Sequence, residues 1–278
     1  MERIGKEGVE MKVAALQCTA VLGEVERNYA HMAEMIKEAV RHGADLVVLP
    51  EMWNTGFYPE NVADLADEDG ARTKAMLIDA AKTYHVHIVG GSVACRRDGN
   101  LYNTTYVVNR EGRIVGSYDK VHLFTMGHED QVFTAGDQAN VFSLDDIPMA
   151  SMICYDLRFC EWARVAALRG AVVLFVPAAW PIERLRHWQI LNTARAIENQ
   201  CFVVAVNACG QTGTYDFAGH SMIINPLGDV LVEGGHDEGI FYADIQPEEA
   251  GAVRQRLHAL ADRRPDIYRK GDDDTWKA

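Results

Sequence analysis

No stretch of this chain approaches the roughly 20 apolar residues that a membrane-spanning helix needs. The longest apolar runs, such as AVVLFVPAAW at 171–180, are about half that length. Basic residues are the minority: 27 Lys and Arg stand against 40 Asp and Glu, for a formal charge of −13. That balance excludes nucleic acid as an expected partner, because phosphates need a basic face. The six cysteines (18, 95, 154, 160, 201, 209) form no C-x-x-C pair and fall mostly inside apolar runs. They are read as free thiols of a reducing compartment rather than a disulfide framework. The opening MERIGKEGVEM mixes both charge signs without an apolar core, which predicts neither signal nor transit peptide and makes the cytoplasm the expected location. There is no G-x-x-x-x-G-K-[ST] phosphate loop and no dinucleotide fingerprint, and no cofactor or metal is expected.

What is present is a globular composition, 48% hydrophobic and 24% charged over 278 residues. RNYAHMAEMIKEAVRHGA (27–44) has apolar residues three and four apart and closes at Gly43, as a helix does; DLVVLPE (45–51) reads as a buried strand. A helix at 71–86, a strand at 87–93 and a hairpin across 101–123 follow. The second half repeats the order, with a strand at 149–155, helix 160–170, strand 171–177, helix 187–200, strand 201–208 and a hairpin at 219–235. Two such halves predict an α/β fold in which two mixed sheets pack face to face with helices outside, a four-layer α-β-β-α sandwich. With no Pro- or Gly-rich linker between the halves, one domain over 11–270 is expected, preceded by an extension (1–10) and followed by a polar tail (271–278).

Three polar side chains stand at the ends of apolar runs. Glu51 closes DLVVLPE, Lys120 lies in YDKVHLF, and Cys154 ends MIC, directly before a Tyr, an Asp and, two further on, an Arg. Sites in α/β folds lie beyond the carboxyl ends of strands, where side chains are held rigidly but face a crevice. Brought together there, the Glu can take a thiol proton, the Lys can favour a thiolate and later an oxyanion, and the Cys can attack. Singly, each has an ordinary alternative: core filler, a strand-end surface carboxylate, a solvated cation.

In combination these segments resemble the nitrilase, or carbon–nitrogen hydrolase, superfamily. LVVLPEMWNTGF (46–57), YDKVHLF (118–124) and MICYDLRF (152–159) are similar to its glutamate, lysine and cysteine blocks. VPAAWPIERLRHWQILNTARAIENQ (176–200) is similar to the loop and helix that follow, and the resemblance runs from about 11 to 270. It implies the same α-β-β-α fold, with Glu51 as general base, Lys120 as transition-state stabiliser and Cys154 as nucleophile. A second glutamate of the family falls in MGHEDQVFTAGD (126–137) at Glu129, with Asp130 the weaker candidate. Its implied role is to orient Lys120 and the substrate nitrogen; the ordinary alternative is a solvated loop carboxylate.

The reaction so implied is hydrolysis of a small amide through a thioester, with water as second substrate and ammonia as product. The backbone N–H of Tyr155 joins Lys120 in meeting the oxyanion. CYDLRF, with Trp162 close behind, is more similar to the omega-amidase branch, which acts on 2-oxoglutaramate and 2-oxosuccinamate, than to the N-carbamoyl-amine hydrolases, where CWDQW is the expected form. An N-carbamoyl-amine or deaminated-glutathione amidase is the alternative within the superfamily. PAAWP departs from the more usual PANWP at Ala179, which removes any contact made there by an Asn side chain. Arg158 and Arg184 are candidates for attracting a substrate carboxylate, though Arg158 is expected to sit in a structural ion pair instead. Phe57, Tyr58, Phe124 and Trp180 are expected to wall the pocket. The resemblance also implies a homodimer, with helix 187–200 and the segment 241–270 as contact candidates.

Other readings compete. GGSVA (90–94) echoes the G-x-S-x-G elbow of serine hydrolases at Ser92, but lacks the last Gly and runs into a turn. His85 and His87 have strand spacing that would point both rings one way, without a third ligand. Asn103-Thr104-Thr105 fits a glycosylation sequon that has no meaning without secretion. A non-catalytic binding protein on this fold is the alternative from a different class.

Overall fold

The first strand dictates the layering. Met11–Gln17 (MKVAALQ) has both faces buried, and a strand sends successive side chains to opposite sides, so it needs cover on each. Met11, Val13 and Ala15 pack with Leu46, Val48 and Val89 against Phe175, Phe202 and Val204 of a second sheet. Ala14 and Leu16 turn the other way, toward Met32 and Ile36 of helix Val25–Arg41 and Leu77 and Ala81 of helix Ala71–Tyr84. The second sheet repeats the arrangement. Leu174 and Val176 of strand Val173–Ala178 face Ala163 and Ala166 of helix Cys160–Leu168 and Trp188 and Ala196 of helix Leu185–Asn199. The computed structural model, which describes residues 10–272, is therefore the expected four-layer α-β-β-α sandwich.

Both sheets are mixed. In the first, Leu46–Val48 lies parallel between Met11–Gln17 and His87–Val89, with antiparallel neighbours beyond on either side. In the second, Ile147–Ser151, Val173–Ala178 and Phe202–Asn207 are parallel, flanked by antiparallel Asn140–Leu144 and Met222–Ile224. The parallel strands of each sheet deliver their carboxyl ends to one side of the sandwich, and Glu51, Cys154 and Ala179 follow those ends. Among the described residues no helix is long and apolar enough to cross a membrane. The expected extension and tail lie outside the described residues, apart from Glu10 and residues 271–272.

Residues 241–245 belong to strand Gly239–Ile245, which returns to the edge of the first sheet and pairs along the whole first strand, Met11 with Ile245 through Gln17 with Gly239. One expectation is corrected: the strand expected over 149–155 ends at Ser151. Met152 and Ile153 remain buried, but the Asp156 carboxylate accepts the Ile153 N–H at 2.8 Å and closes a 3-10 turn, Cys154–Arg158. The thiol thus sits on a turn beyond the strand rather than at its end.

Candidate active site

Glu51 follows strand Leu46–Val48 after Leu49 and Pro50, on a turn that the neighbouring strand fixes. Gly91 (φ +60°) lies so close that a Cβ there would be 2.1 Å from the Pro50 carbonyl oxygen, which leaves room for glycine alone. Ser92 donates its N–H to Pro50 (3.0 Å), while its Oγ accepts the Met52 N–H (3.2 Å). Ser92 is thus a buried support for the Glu51 turn, away from any nucleophile elbow. The Glu51 Oε2 then accepts the N–H of Ala179 from the second sheet at 2.8 Å, so the carboxylate bridges the two sheets.

Lys120 comes one residue after strand Ile114–Asp119 and is completely buried. Its Nζ donates to Glu51 Oε1 at 2.8 Å and to both oxygens of Glu129 at 2.8 and 3.0 Å. Glu129, also fully buried, takes the Phe124 N–H as well (2.7 Å), while Asp130 beside it is exposed. The loop therefore brings Glu129, and not Asp130, to Lys120. An ammonium has three N–H groups; one meets Glu51 and two meet Glu129, so a further acceptor would have to take over one of the two that Glu129 now holds.

The sequence reading missed Asn103. Its Nδ2 donates to Glu51 Oε1 (2.8 Å) and Glu129 Oε1 (3.1 Å), and its carbonyl accepts the Lys120 N–H (2.9 Å). Asn103, Thr104 and Thr105 are all buried within strand Asn100–Val108, so the apparent sequon is a stretch of the core. The only sequence signal was three polar residues in a row where a strand required burial. Asn207 was missed too: it accepts the Trp180 N–H (2.7 Å) and donates to the Trp180 and Gly219 carbonyls (3.1 and 2.8 Å), fixing the PAAWP loop.

Cys154 has φ +46°, a left-handed conformation that residues other than glycine and asparagine rarely adopt. The turn presents its thiol toward Glu51 on one side and a pocket on the other, with 7% of the residue exposed. Burial pushes the thiol well above its ordinary value, the Glu51 charge adds to this, and Lys120 opposes it. Burial also works against the Lys120 charge, but Glu129 and Glu51 outweigh it and hold the ammonium well above the ordinary lysine value. The formal charges of Glu51, Glu129 and Lys120 sum to −1, so ionising the thiol as well would place −2 in a dry interior.

The pocket in front of Cys154 is lined by Phe57, Phe124, Tyr155, Ala179, Trp180 and Tyr215, with Arg158 and Arg184 among them. Its free interior is small, about 20 Å³, with further space open to solvent at the mouth. The expected ion pair of Arg158 is not formed: among the described residues its guanidinium lies over the rings of Trp180 (4.6 Å) and Tyr155 (5.8 Å), with no carboxylate partner. Arg184 lies over Phe124 at 5.4 Å. Aromatic faces in the pocket leave both cations available to an anion. Ala179, where an Asn side chain was expected to be missing, contributes a methyl to the wall and its N–H to Glu51. The two histidines diverge: His85 is exposed at a helix end with φ +53°, and His87 is buried beside Asp145 at 3.1 Å.

The cluster is a thiol, a carboxylate within its reach and a buried ammonium, set behind a small pocket rich in aromatics and arginine. The sequence profile of the family described as carbon-nitrogen hydrolase matches residues 12–255. The 2-oxoglutaramate amidase of Bacillus subtilis is 44% identical over 256 residues, 92% of this chain and 98% of that one. Human omega-amidase NIT2 is 31% identical over 250 residues, covering 87% and 91%. A solved carbon-nitrogen hydrolase from Helicobacter pylori shares the fold with a TM-score of 0.87 at 26% identity, over 94% of this chain and 97% of that one. Matches that span both sheets and every segment bearing the buried cluster place this chain in the carbon–nitrogen hydrolase family of the nitrilase superfamily.

Proposed function

We propose that this carbon–nitrogen hydrolase acts as an omega-amidase, hydrolysing the terminal amide of 2-oxoglutaramate, or of the shorter 2-oxosuccinamate, to ammonia and the dicarboxylic 2-oxo acid. The observation that carries this reading is the pair of arginines, without carboxylate partners among the described residues, that line the same small pocket as Cys154. They give a substrate carboxylate somewhere to bind at a distance from the thiol, with guanidinium geometry suited to it. The similarity to proteins named 2-oxoglutaramate amidase and omega-amidase supports the same substrate class. An N-carbamoyl amine that carries a cation would instead meet two like charges.

In this reading Cys154 Sγ attacks the amide carbon as Glu51 takes the thiol proton. The carbonyl electron pair moves onto oxygen, where the N–H of Tyr155 and one Lys120 N–H, given up by Glu129, receive it; one such donor is worth roughly 10²–10³ in rate. Glu51 passes its proton to the nitrogen, the C–N bond breaks and ammonia leaves. Glu51 then deprotonates a water that attacks the thioester, and the proton returns to Cys154 as the acid departs. Glu129 and Asn103 keep Lys120 and Glu51 aligned throughout. One carboxylate serves alternately as base and acid, which a dry site favours. No cofactor enters any step.

Arg184→Gln is expected to raise the KM for 2-oxoglutaramate about 10- to 100-fold, the loss of one charge-assisted hydrogen bond. Hydrolysis of a neutral amide of similar size should change far less. Equal effects on both substrates, measured by steady-state ammonia release, would remove the arginine from carboxylate binding.

The reading includes a cytoplasmic homodimer. Its support is six free thiols and an exposed apolar surface in which Ile190 (48%), Ile197 (51%) and Leu227 (63%) lie on helix Leu185–Asn199 and the hairpin turn against it. Sedimentation at twice the chain mass is the expected result; a monomer at micromolar concentration would count against it.

A further inference from the structure

We infer that Asp156 is a positioning residue for the acylation step, a brace that locks the Cys154 turn to the Lys120 hairpin. The inference rests on the reading above of Cys154 as nucleophile and Lys120 as stabiliser. Asp156 is completely buried, and both of its oxygens are doubly occupied. Oδ2 accepts the Tyr118 hydroxyl (2.6 Å) and the Ile153 N–H (2.8 Å). Oδ1 accepts the His122 N–H (2.9 Å) and its ring Nδ1–H (2.7 Å).

The chain positions of these partners make the argument. Tyr118 and His122 lie two residues before and two after Lys120, while Ile153 and Asp156 enclose Cys154. One carboxylate therefore grips both reactive residues from both sides. The partners are themselves held: the Tyr118 hydroxyl accepts the Trp162 indole N–H (3.0 Å) and the Val121 N–H (3.3 Å), and the His122 ring stacks on Phe159 at 3.8 Å. Cys154 needs such a hold, because its φ of +46° is one that the backbone leaves when released. Asp156 touches neither the pocket nor the thiol's partners, so its effect passes through geometry. A displacement near 1 Å at a reacting centre costs about 10²-fold in rate.

Asp156→Asn places an N–H donor where two donors now converge, so the turn must shift. The single-turnover rate of ammonia release per titrated active site is expected to fall about 10²-fold, with KM almost unchanged. Tyr118→Phe keeps the carboxylate and removes one of its four donors, and a smaller loss of the same kind is expected, roughly tenfold for one charge-assisted bond. A purely structural role would lower the melting temperature or the fraction of titratable sites and leave the rate per site alone. That result in both variants, or in Tyr118→Phe alone should Asp156→Asn not fold, would overturn the inference. Cys154→Ala measured alongside separates the two levels: turnover retained there would sink the thiol mechanism itself, whereas its loss with normal rates in the brace variants would sink only the brace.

Discussion

Cys154→Ala is expected to abolish ammonia release from 2-oxoglutaramate, with a loss of about 10⁴-fold or more, while the protein stays folded. The size follows from chemistry: without sulfur there is no thioester, and Glu51 would have to activate water against an unactivated amide. The fold survives because the substitution removes a single sulfur atom at a turn that Asp156 still closes. Residual turnover within tenfold of wild type would refute the thiol mechanism, and so favour water attack or a passive pocket.

The same variant serves as the blank for the state of the resting thiol. Burial and Glu51 raise Cys154, so its neutral form should persist past the ordinary thiol value of about 8.5. The sign is that of a group raised on folding: its contribution to stability is complete below the ordinary value and is lost as pH rises through the folded one. The thiolate ultraviolet absorbance of wild type minus Cys154→Ala should therefore be absent at neutral pH. A thiolate signal there would mean that the proton already rests on a carboxylate before substrate arrives.

Lys120→Met should combine a rate loss of about 10³-fold with a stability loss of about 3–5 kcal/mol. Wild-type Lys120 is held above the ordinary lysine value, so its stabilisation is fully present below about pH 10.4 and is lost only as pH rises through the higher folded value. Removing the ammonium leaves Glu51 and Glu129 facing Asn103 with no cation between them. Two like charges brought close in a dry interior without a cation repel, which is the source of the stability loss. Denaturant melts at neutral pH test this; a variant as stable as wild type would show that Lys120 is not the charge on which the site is built.

Much of this was legible in the sequence. Uninterrupted apolar runs such as LVVL and VVLFV require cover on both faces of a strand, and two of them with amphipathic helices between imply layers. Glu51, Lys120 and Cys154 stood out because charged or reactive groups directly abut those runs, and the block motifs around them fixed their order. Local pattern reaches that far because burial and strand alternation are properties of neighbours in the chain.

Partnership between distant segments is not such a property. Asn103 looked like part of a sequon until strand pairing placed it between two acids 52 and 26 residues away. Arg158 looked like half of an ion pair, but its turn sets it over Trp180 and leaves the charge to the pocket. Asp156 stood out only as an acid following the cysteine, yet its carboxylate joins a hairpin 38 residues back to the turn that carries the thiol. Glu129 and Asp130 are adjacent and chemically alike; only the loop's path buries one against Lys120 and leaves the other in water. The sequence by itself determined the layers and which side chains were able to react. Tertiary structure alone decided which charges meet, because a buried charge is tolerated only where its partners arrive from elsewhere in the chain.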